Sequence, residues 1–373
     1  MKFLNKIKAA TAVCVLTFTL AGCSDYLDVS DEIAESLTLD EVFNTPTYAR
    51  RWHANLFGCI SEYSSIGRNQ YDGFSGAWVS MCGETTISSG GWTEMTSGFT
   101  AATAPFHRWV ALYEYIRDAH IFLDRVQPLG GINDQYQLTE ADVNRMKAEA
   151  KFLIAYSYFS LFELYGAVPI ITGIVDPEDK GLDFARSSVD EVVNYIDGLL
   201  DEVIESGDLP ETLIKDPTAE GNNKYRLNEI VRPTITTAKA LRAKLWVYAA
   251  SPLFNGGYPE ALEVTNTDGK HLFTSYDANK WVIAKERLED LFQDTDQHGH
   301  ELFIVTNSDG SINADESYYQ LFQNYNDEIL WATGDNLWNG TTMEINTNPR
   351  DCYAGWAYLG ISQELVDAYF MDN

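Results

Sequence analysis

Val189, Val192, Val193, Ile196, Leu199, Leu200 and Val203 recur at i, i+3, i+4 and i+7, the spacing of one apolar helix face. Ser187 or Ser188 is placed to cap that helix, and Asp190 and Glu191 suit its positive end. The same periodicity predicts a helix from about Glu140 to Tyr165, with Met146, Ala150, Leu153, Ile154, Ser157, Leu161 and Leu164 on one stripe. Thr139 is its candidate cap, and Gly166 and Pro169 mark its stop. A third helix is expected over Pro233–Ala250, opened by the proline near its first turn and rich in small alanines that permit close approach. A fourth runs from Trp281 to Phe292, with Trp281, Ala284, Leu288, Leu291 and Phe292 in register. Further helices fall at about 46–60 and 106–126. The best strand signal is Glu328–Ala332. Long irregular stretches at 61–100, 207–232, 255–276 and 306–360 separate these elements, and loops of that length are functional or hide small elements.

The first 22 residues read as a leader. Lys2, Lys6 and Lys8 precede an uncharged run from Ala9 to Ala21, too short for a membrane span, which ends in Leu20-Ala21-Gly22-Cys23. Small residues before a cysteine suit a lipoprotein signal peptidase, so Cys23 is the expected lipidation site; two or more acyl chains anchor stably. Residues 23–38 then form a polar, acidic tether. Removing residues 1–22, with three lysines and no carboxylate, takes the net charge from -29 to -32. A surface this acidic repels phosphate backbones and excludes a nucleic-acid-binding role. Beyond the leader and Cys23, three cysteines remain, Cys59, Cys82 and Cys352. They are odd in number and lack CxxC spacing, so they read as buried free thiols.

Catalytic grammar is sparse. HExxH, GxSxG and a Walker loop are missing, and Gly73-Phe74-Ser75-Gly76 lacks the context of a phosphate loop. Asp294-Thr295-Asp296-Gln297-His298-Gly299-His300-Glu301 is similar to the start of a calcium loop, but its twelfth position is Val305, and it reads as a solvated turn after the fourth helix. Carboxylate pairs of the glycosidase type are unavoidable by chance among 55 acidic residues. The expectation is therefore a protein with no catalytic residues, no metal and no cofactor.

The aromatics carry more information. Trp52, Trp109, Trp246 and Trp281 fall on helical apolar faces, and Trp331 in the expected strand, which predicts core positions. Trp78, Trp92, Trp338 and Trp356 instead sit among Gly, Ser, Thr and Asn in the long loops. A rigid ring beside short polar side chains suits the C–H face of a sugar, with hydroxyls held by in-plane donors and acceptors. The candidate ligand-binding set is Trp92, Trp338, Trp78, Tyr71, Arg68, Asp72, Glu84, Asn336 and Asn339. The alternative is that these indoles plug loops onto the helical body. Stacking at about 1 kcal/mol per ring and about 1 more per hydrogen bond gives micromolar to millimolar binding.

Four segments resemble hallmarks of the RagB/SusD family. They are Ser24-Asp25-Tyr26-Leu27-Asp28 after the lipobox; Ala148-Glu149-Ala150-Lys151-Phe152-Leu153 through Leu164-Tyr165-Gly166-Ala167-Val168-Pro169; Arg232-Pro233-Thr234 through Ala249-Ala250-Ser251-Pro252-Leu253-Phe254-Asn255; and Ser362-Gln363-Glu364-Leu365-Val366-Asp367-Ala368-Tyr369. The resemblance implies a mainly α fold: a tetratricopeptide-like helix-hairpin scaffold with long irregular loops and few short strands. It also implies an outer-membrane lipoprotein of Bacteroidetes, facing the cell exterior. Such a protein captures glycan, or in some members peptide or another nutrient, and delivers it to a SusC-like TonB-dependent transporter without being an enzyme. The family's site aromatics match the regions of Trp78 and Trp92, then Trp338. Residues 39–373 would form the SusD-like domain with its loop-built ligand face, incomplete at the C-terminus because the family usually continues beyond the last motif. A surface glycoside hydrolase, a peptide- or other nutrient-binding member and a purely structural scaffold are the rival readings.

Overall fold

The computed structural model describes residues 37–60, 84–87, 108–131, 134–176, 182–332, 348–350, 352, 355, 357 and 359–369. Ten helices and two short strands lie within them. α1 (Leu39–Phe43) and α2 (Pro46–Leu56) lead into a 3-10 turn at Phe57–Cys59. α3 spans Trp109–Arg125, α4 Glu140–Tyr165, α5 Val189–Ser206 and α6 Ile235–Ala250. α7 (Pro259–Leu262) is a single turn; α8 (Asn279–His298), α9 (Ala314–Leu321) and α10 (Gln363–Ala368) follow. α3 packs on α4, α4 on α5, α5 on α6 and α6 on α8, the succession of a helix-hairpin scaffold. β1 (Thr85–Ile87) pairs antiparallel with β2 (Leu359–Ile361), Thr86 opposite Gly360.

Capping fixes where the long helices begin. Thr139 forms a reciprocal box with Asp142, and Ser188 one with Glu191, each serine or threonine oxygen accepting from the third backbone N–H. α6 starts later than its proline suggests. Thr234 is the cap, its Oγ1 accepting from Thr237 N at 3.2 Å, and Pro233 lies outside the helix. α4 ends at Gly166, whose φ of 68° and N–H bond to Phe162 O turn the chain. A β-carbon there would also sit 3.0 Å from the Phe273 ring.

Two readings of helix faces are corrected by the packing. α4 has no single stripe: the run from Phe152 to Phe162 is buried on every side, because α3 and α5 cover it along its flanks. On α8, Trp281 and Phe292 point outward, 45% and 64% exposed. That helix is docked largely by charge. Lys280 reaches Asp190 at 2.6 Å, Arg287 reaches Asp197 at 3.4 Å, and Lys239 of α6 reaches Asp290 and Asp294, both at 3.0 Å. The calcium-like run therefore begins inside α8, with Asp294 buried between Lys239 and Thr236.

The other scaffold tryptophans are packed. Trp246 is buried and donates Nε1–H to Asp197 Oδ1 at 2.8 Å, while Trp52 donates to Asp118 O at 3.0 Å. Trp109 packs against Tyr113, tilted, and against Tyr165, edge-to-face. Cys59 is buried, whereas Cys352 is exposed, contrary to the expectation of buried thiols throughout; Cys82 and Trp356 lie outside the described residues. Among the described residues, no helix is long and apolar enough to cross a membrane.

Candidate functional site

The expected strand at Glu328–Ala332 is not a strand; it is the wall of an open groove. Asn326, buried, folds the chain into a tight turn: its Nδ2 donates to Leu321 O and Asn324 O at 2.8 and 3.0 Å, and its Oδ1 accepts from Glu328 N at 3.1 Å. The turn takes Glu328 N and Ile329 N, and the segment has no ladder partner among the described residues. Trp331 is then free to turn inward. It donates Nε1–H to Val231 O at 2.8 Å and sets its ring edge-on to Phe152 and Tyr156 of α4.

A two-stranded ribbon buttresses this wall. Ile214 bridges Tyr225, Lys215 N donates to Lys224 O, and Arg226 N donates to Leu213 O, both at 2.9 Å. Asp327 ties the ribbon to the wall: one carboxylate oxygen takes Lys224 Nζ, the other takes Tyr225 OH at 2.9 Å. Burial and the adjacent Asp327 carboxylate both push the Tyr225 phenol up, so it stays a donor. His300 bonds through Nδ1 to Asp327 O at 2.8 Å and through Nε2 to the Thr212 hydroxyl. Because a carbonyl only accepts, Nδ1 carries the proton, and burial holds the imidazole below its usual range.

The ribbon is in turn bolted to the scaffold by a buried carboxylate. Glu149 of α4 is fully buried and accepts two bonds from Arg232, at 2.7 and 3.0 Å, and one from Arg145 at 3.1 Å. His53 Nε2 lies 2.9 Å away, off the line of a hydrogen bond but close enough for charge contact. Burial pushes this carboxyl up, yet the close contact of His53 and the hydrogen bonds and charge of Arg232 more than offset it and hold it below the ordinary range. Arg145 continues to Glu229 with a bidentate pair at 3.2 and 3.0 Å.

Between ribbon and wall lies a groove of about 810 Å³, lined by Asn222, Leu227, Phe322, Gln323, Asn324, Tyr325 and Glu328 among others. Phe322 and Tyr318 are each 72% exposed and meet edge-to-face at 5.5 Å, beside exposed Tyr319. Flat apolar faces and amide side chains thus converge on one open surface. Ala332 also lines it, and the chain passes from Ala332 into residues 333–347, which carry Asn336, Trp338 and Asn339.

Of the residues nominated from the sequence, Arg68, Tyr71, Asp72, Trp78, Trp92, Asn336, Trp338, Asn339 and the lipidation site Cys23 lie outside the described residues. Glu84 is exposed at the start of β1, where its carbonyl accepts from Ser362 N at 3.0 Å, and it does not line the groove. Phe322 and Tyr325 were not among the nominees. The run Tyr318-Tyr319-Gln320-Leu321-Phe322-Gln323-Asn324-Tyr325 alternates rings and amides, and that was the available signal. Among the described residues, no group of three or more His, Cys, Asp or Glu side chains is arranged to hold a metal.

The helix-hairpin scaffold thus carries an open, aromatic and amide-lined groove. The chain belongs to the SusD-like family: residues 25–218, just over half of it, match the family model described as starch-binding associating with outer membrane. No curated protein sequence matches. Among solved structures, BT4246 is 25% identical with a TM-score of 0.55, over 74% of this chain and 43% of that one. A SusD-like protein from Bacteroides fragilis NCTC 9343, BF3747, is 20% identical with a TM-score of 0.59, over 91% and 55%. A laminarin-binding SusD-like protein is 18% identical with a TM-score of 0.52, over 86% and 63%. The last two likenesses establish the mainly helical fold. The chain spans about half the length of these relatives.

Proposed function

We propose that this protein captures glycan at the cell surface and hands it to a SusC-like TonB-dependent transporter, without chemistry of its own. Residues 1–22 would be removed, Cys23 lipidated, residues 23–38 serve as the tether, and residues 39–373 present the binding face outward from the outer membrane. The observation that carries this reading is the groove beside Ala332. Phe322 and Tyr325 offer ring faces, and Gln323, Asn324 and Asn222 offer in-plane donors and acceptors within the same opening. Trp338, Asn336 and Asn339, directly downstream of Ala332, are proposed to complete that surface, with Trp78, Trp92, Arg68, Tyr71, Asp72 and Glu84 contributing from the earlier loop. Family membership and the laminarin-binding neighbour support a saccharide as the ligand class.

Glycoside hydrolysis needs two carboxyl groups flanking the bond, and the described lining of the groove contains one, Glu328, which accepts from Phe303 N at 3.0 Å. Isothermal titration against a panel of soluble oligosaccharides tests the proposal. Saturable heat with a micromolar to millimolar Kd and no release of reducing ends is the expected result. New reducing ends would refute the binding-only reading, and saturable binding confined to peptides would replace the ligand class.

A further inference from the structure

The groove has a second chamber whose character differs from the rest of the molecule. A cavity of about 430 Å³ shares Asn222 and Leu227 with the aromatic groove and is otherwise lined by Lys215, Asn223, Tyr225, Arg226, Asn228 and Glu229. The chain carries 55 acidic and 26 basic residues. Most of its described lysines and arginines accordingly stand within 4.0 Å of a carboxylate, as Arg50, Arg125, Lys151, Lys239, Arg242 and Lys270 do. Lys215 and Arg226 have no carboxylate that close among the described residues, although they face the same cavity from the two sides of the ribbon. Arg226 Nε donates to Thr212 O at 3.1 Å, which fixes the plane of its guanidinium; its charge reaches Glu229 across the cavity wall, but among the described residues no carboxylate stands within 4.0 Å of it.

The acidic groups nearby are already engaged. Glu229 is held bidentate by Arg145, with Arg232 at 3.5 Å, and the Arg145 hydrogen bond holds its carboxyl below the usual range. Asp216 Oδ1 accepts the backbone N–H and hydroxyl of Thr218, at 2.9 and 2.7 Å. Besides Glu229, whose carboxylate is taken up by Arg145 and Arg232, the cavity wall offers two cations and three asparagine amides able to donate to an oxyanion. The net charge of -29 repels polyanions at long range, but at physiological ionic strength that field is screened beyond about 8 Å, whereas contact pairs inside a cavity are screened far less.

From this we infer that the cavity is a subsite for a sugar unit bearing an oxyanion substituent, a uronate carboxylate or a sulfate, on a chain whose neutral rings occupy the adjoining aromatic groove. The inference rests on the glycan-capture reading and adds the ligand's charge to it. Lys215 supplies a mobile point charge and Arg226 a planar fork suited to two oxygens.

Calorimetric titration of the full chain with oligogalacturonides and with their methyl esters of equal length tests this. The acid is expected to bind about tenfold more tightly than the ester, and Lys215→Gln to bring the acid down to the ester's affinity. Lys215→Arg should keep the difference. Lys215 is exposed, so an unchanged melting temperature in both variants shows that the fold is intact. Sulfated galactan oligosaccharides form a third arm; if they alone bind and lose affinity in Lys215→Gln, the oxyanion is sulfate. Equal affinity for acid and ester, or binding only of neutral oligosaccharides, overturns the charged subsite and leaves glycan capture standing. No heat with any saccharide overturns both.

Discussion

Asn255 and Asp277 bond to each other in both directions: the Asn255 amide donates to Asp277 O at 3.0 Å, and Asp277 N donates to Asn255 Oδ1 at 2.8 Å. The same amide also donates to Ala250 O at 3.3 Å, so one side chain closes α6 and fastens the approach to α8. Asn255 is buried, which makes every one of these bonds costly to lose. Asn255→Asp removes the donor and faces a carboxylate with two carbonyls. It is expected to lower stability by about 2–3 kcal/mol, read from urea unfolding at neutral pH.

The buried carboxylate of Glu149 predicts a pH signature. Its folded pKa lies below the ordinary value of 4.5, so the unfolded chain binds the proton first as pH falls. The stabilisation is complete above pH 4.5 and is lost as pH drops through the folded pKa. Glu149→Gln leaves Arg145 and Arg232 under-compensated and should cost about 3 kcal/mol at pH 7. The gap between wild type and variant should narrow below pH 4.5; a constant gap from pH 7 to pH 3 would contradict the assignment.

The two described thiols should differ in reactivity. Burial pushes Cys59 up to about 12, against the opposing influence of Ser157 and Arg108, while Cys352 is exposed. N-ethylmaleimide at pH 8 should label Cys352 in the native protein and Cys59 only after urea is added, as read by peptide mass mapping.

Phe322 and Trp331 sit nine positions apart and should behave oppositely. Phe322→Ala is expected to leave stability within about 0.5 kcal/mol and weaken glycan binding about fivefold, the equivalent of one stacked ring. Trp331→Ala removes the edge contacts with Phe152 and Tyr156 and the bond to Val231 O, and should cost about 3 kcal/mol. Thermal melts and titrations of the two variants, taken together, separate the binding ring from the packing ring.

What the sequence made legible follows the range of the interactions involved. The capping of α4 by Thr139 and of α5 by Ser188 is local, and both could be read directly, as could the apolar face of α5. The fate of Trp281 could not, because the face α8 turns inward is decided by Asp190 and Asp197, whose cations Lys280 and Arg287 are polar by type but inward by pairing. The short apolar run at Glu328–Ala332 suggested a strand, and the side-chain turn built by Asn326 overrode it. Aromatic content pointed to a binding face, but tryptophan drew attention away from Phe322 and Tyr325. Their place in the groove depends on a ribbon a hundred residues earlier, joined to them through Asp327.

That joint has a thermodynamic meaning. Lys224, Tyr225 and His300 already hold Asp327, and Arg145 already holds Glu229, before anything arrives. The entropy of arranging this surface is lost once, during folding, so an incoming molecule meets a finished mould and keeps more of its contact energy as affinity.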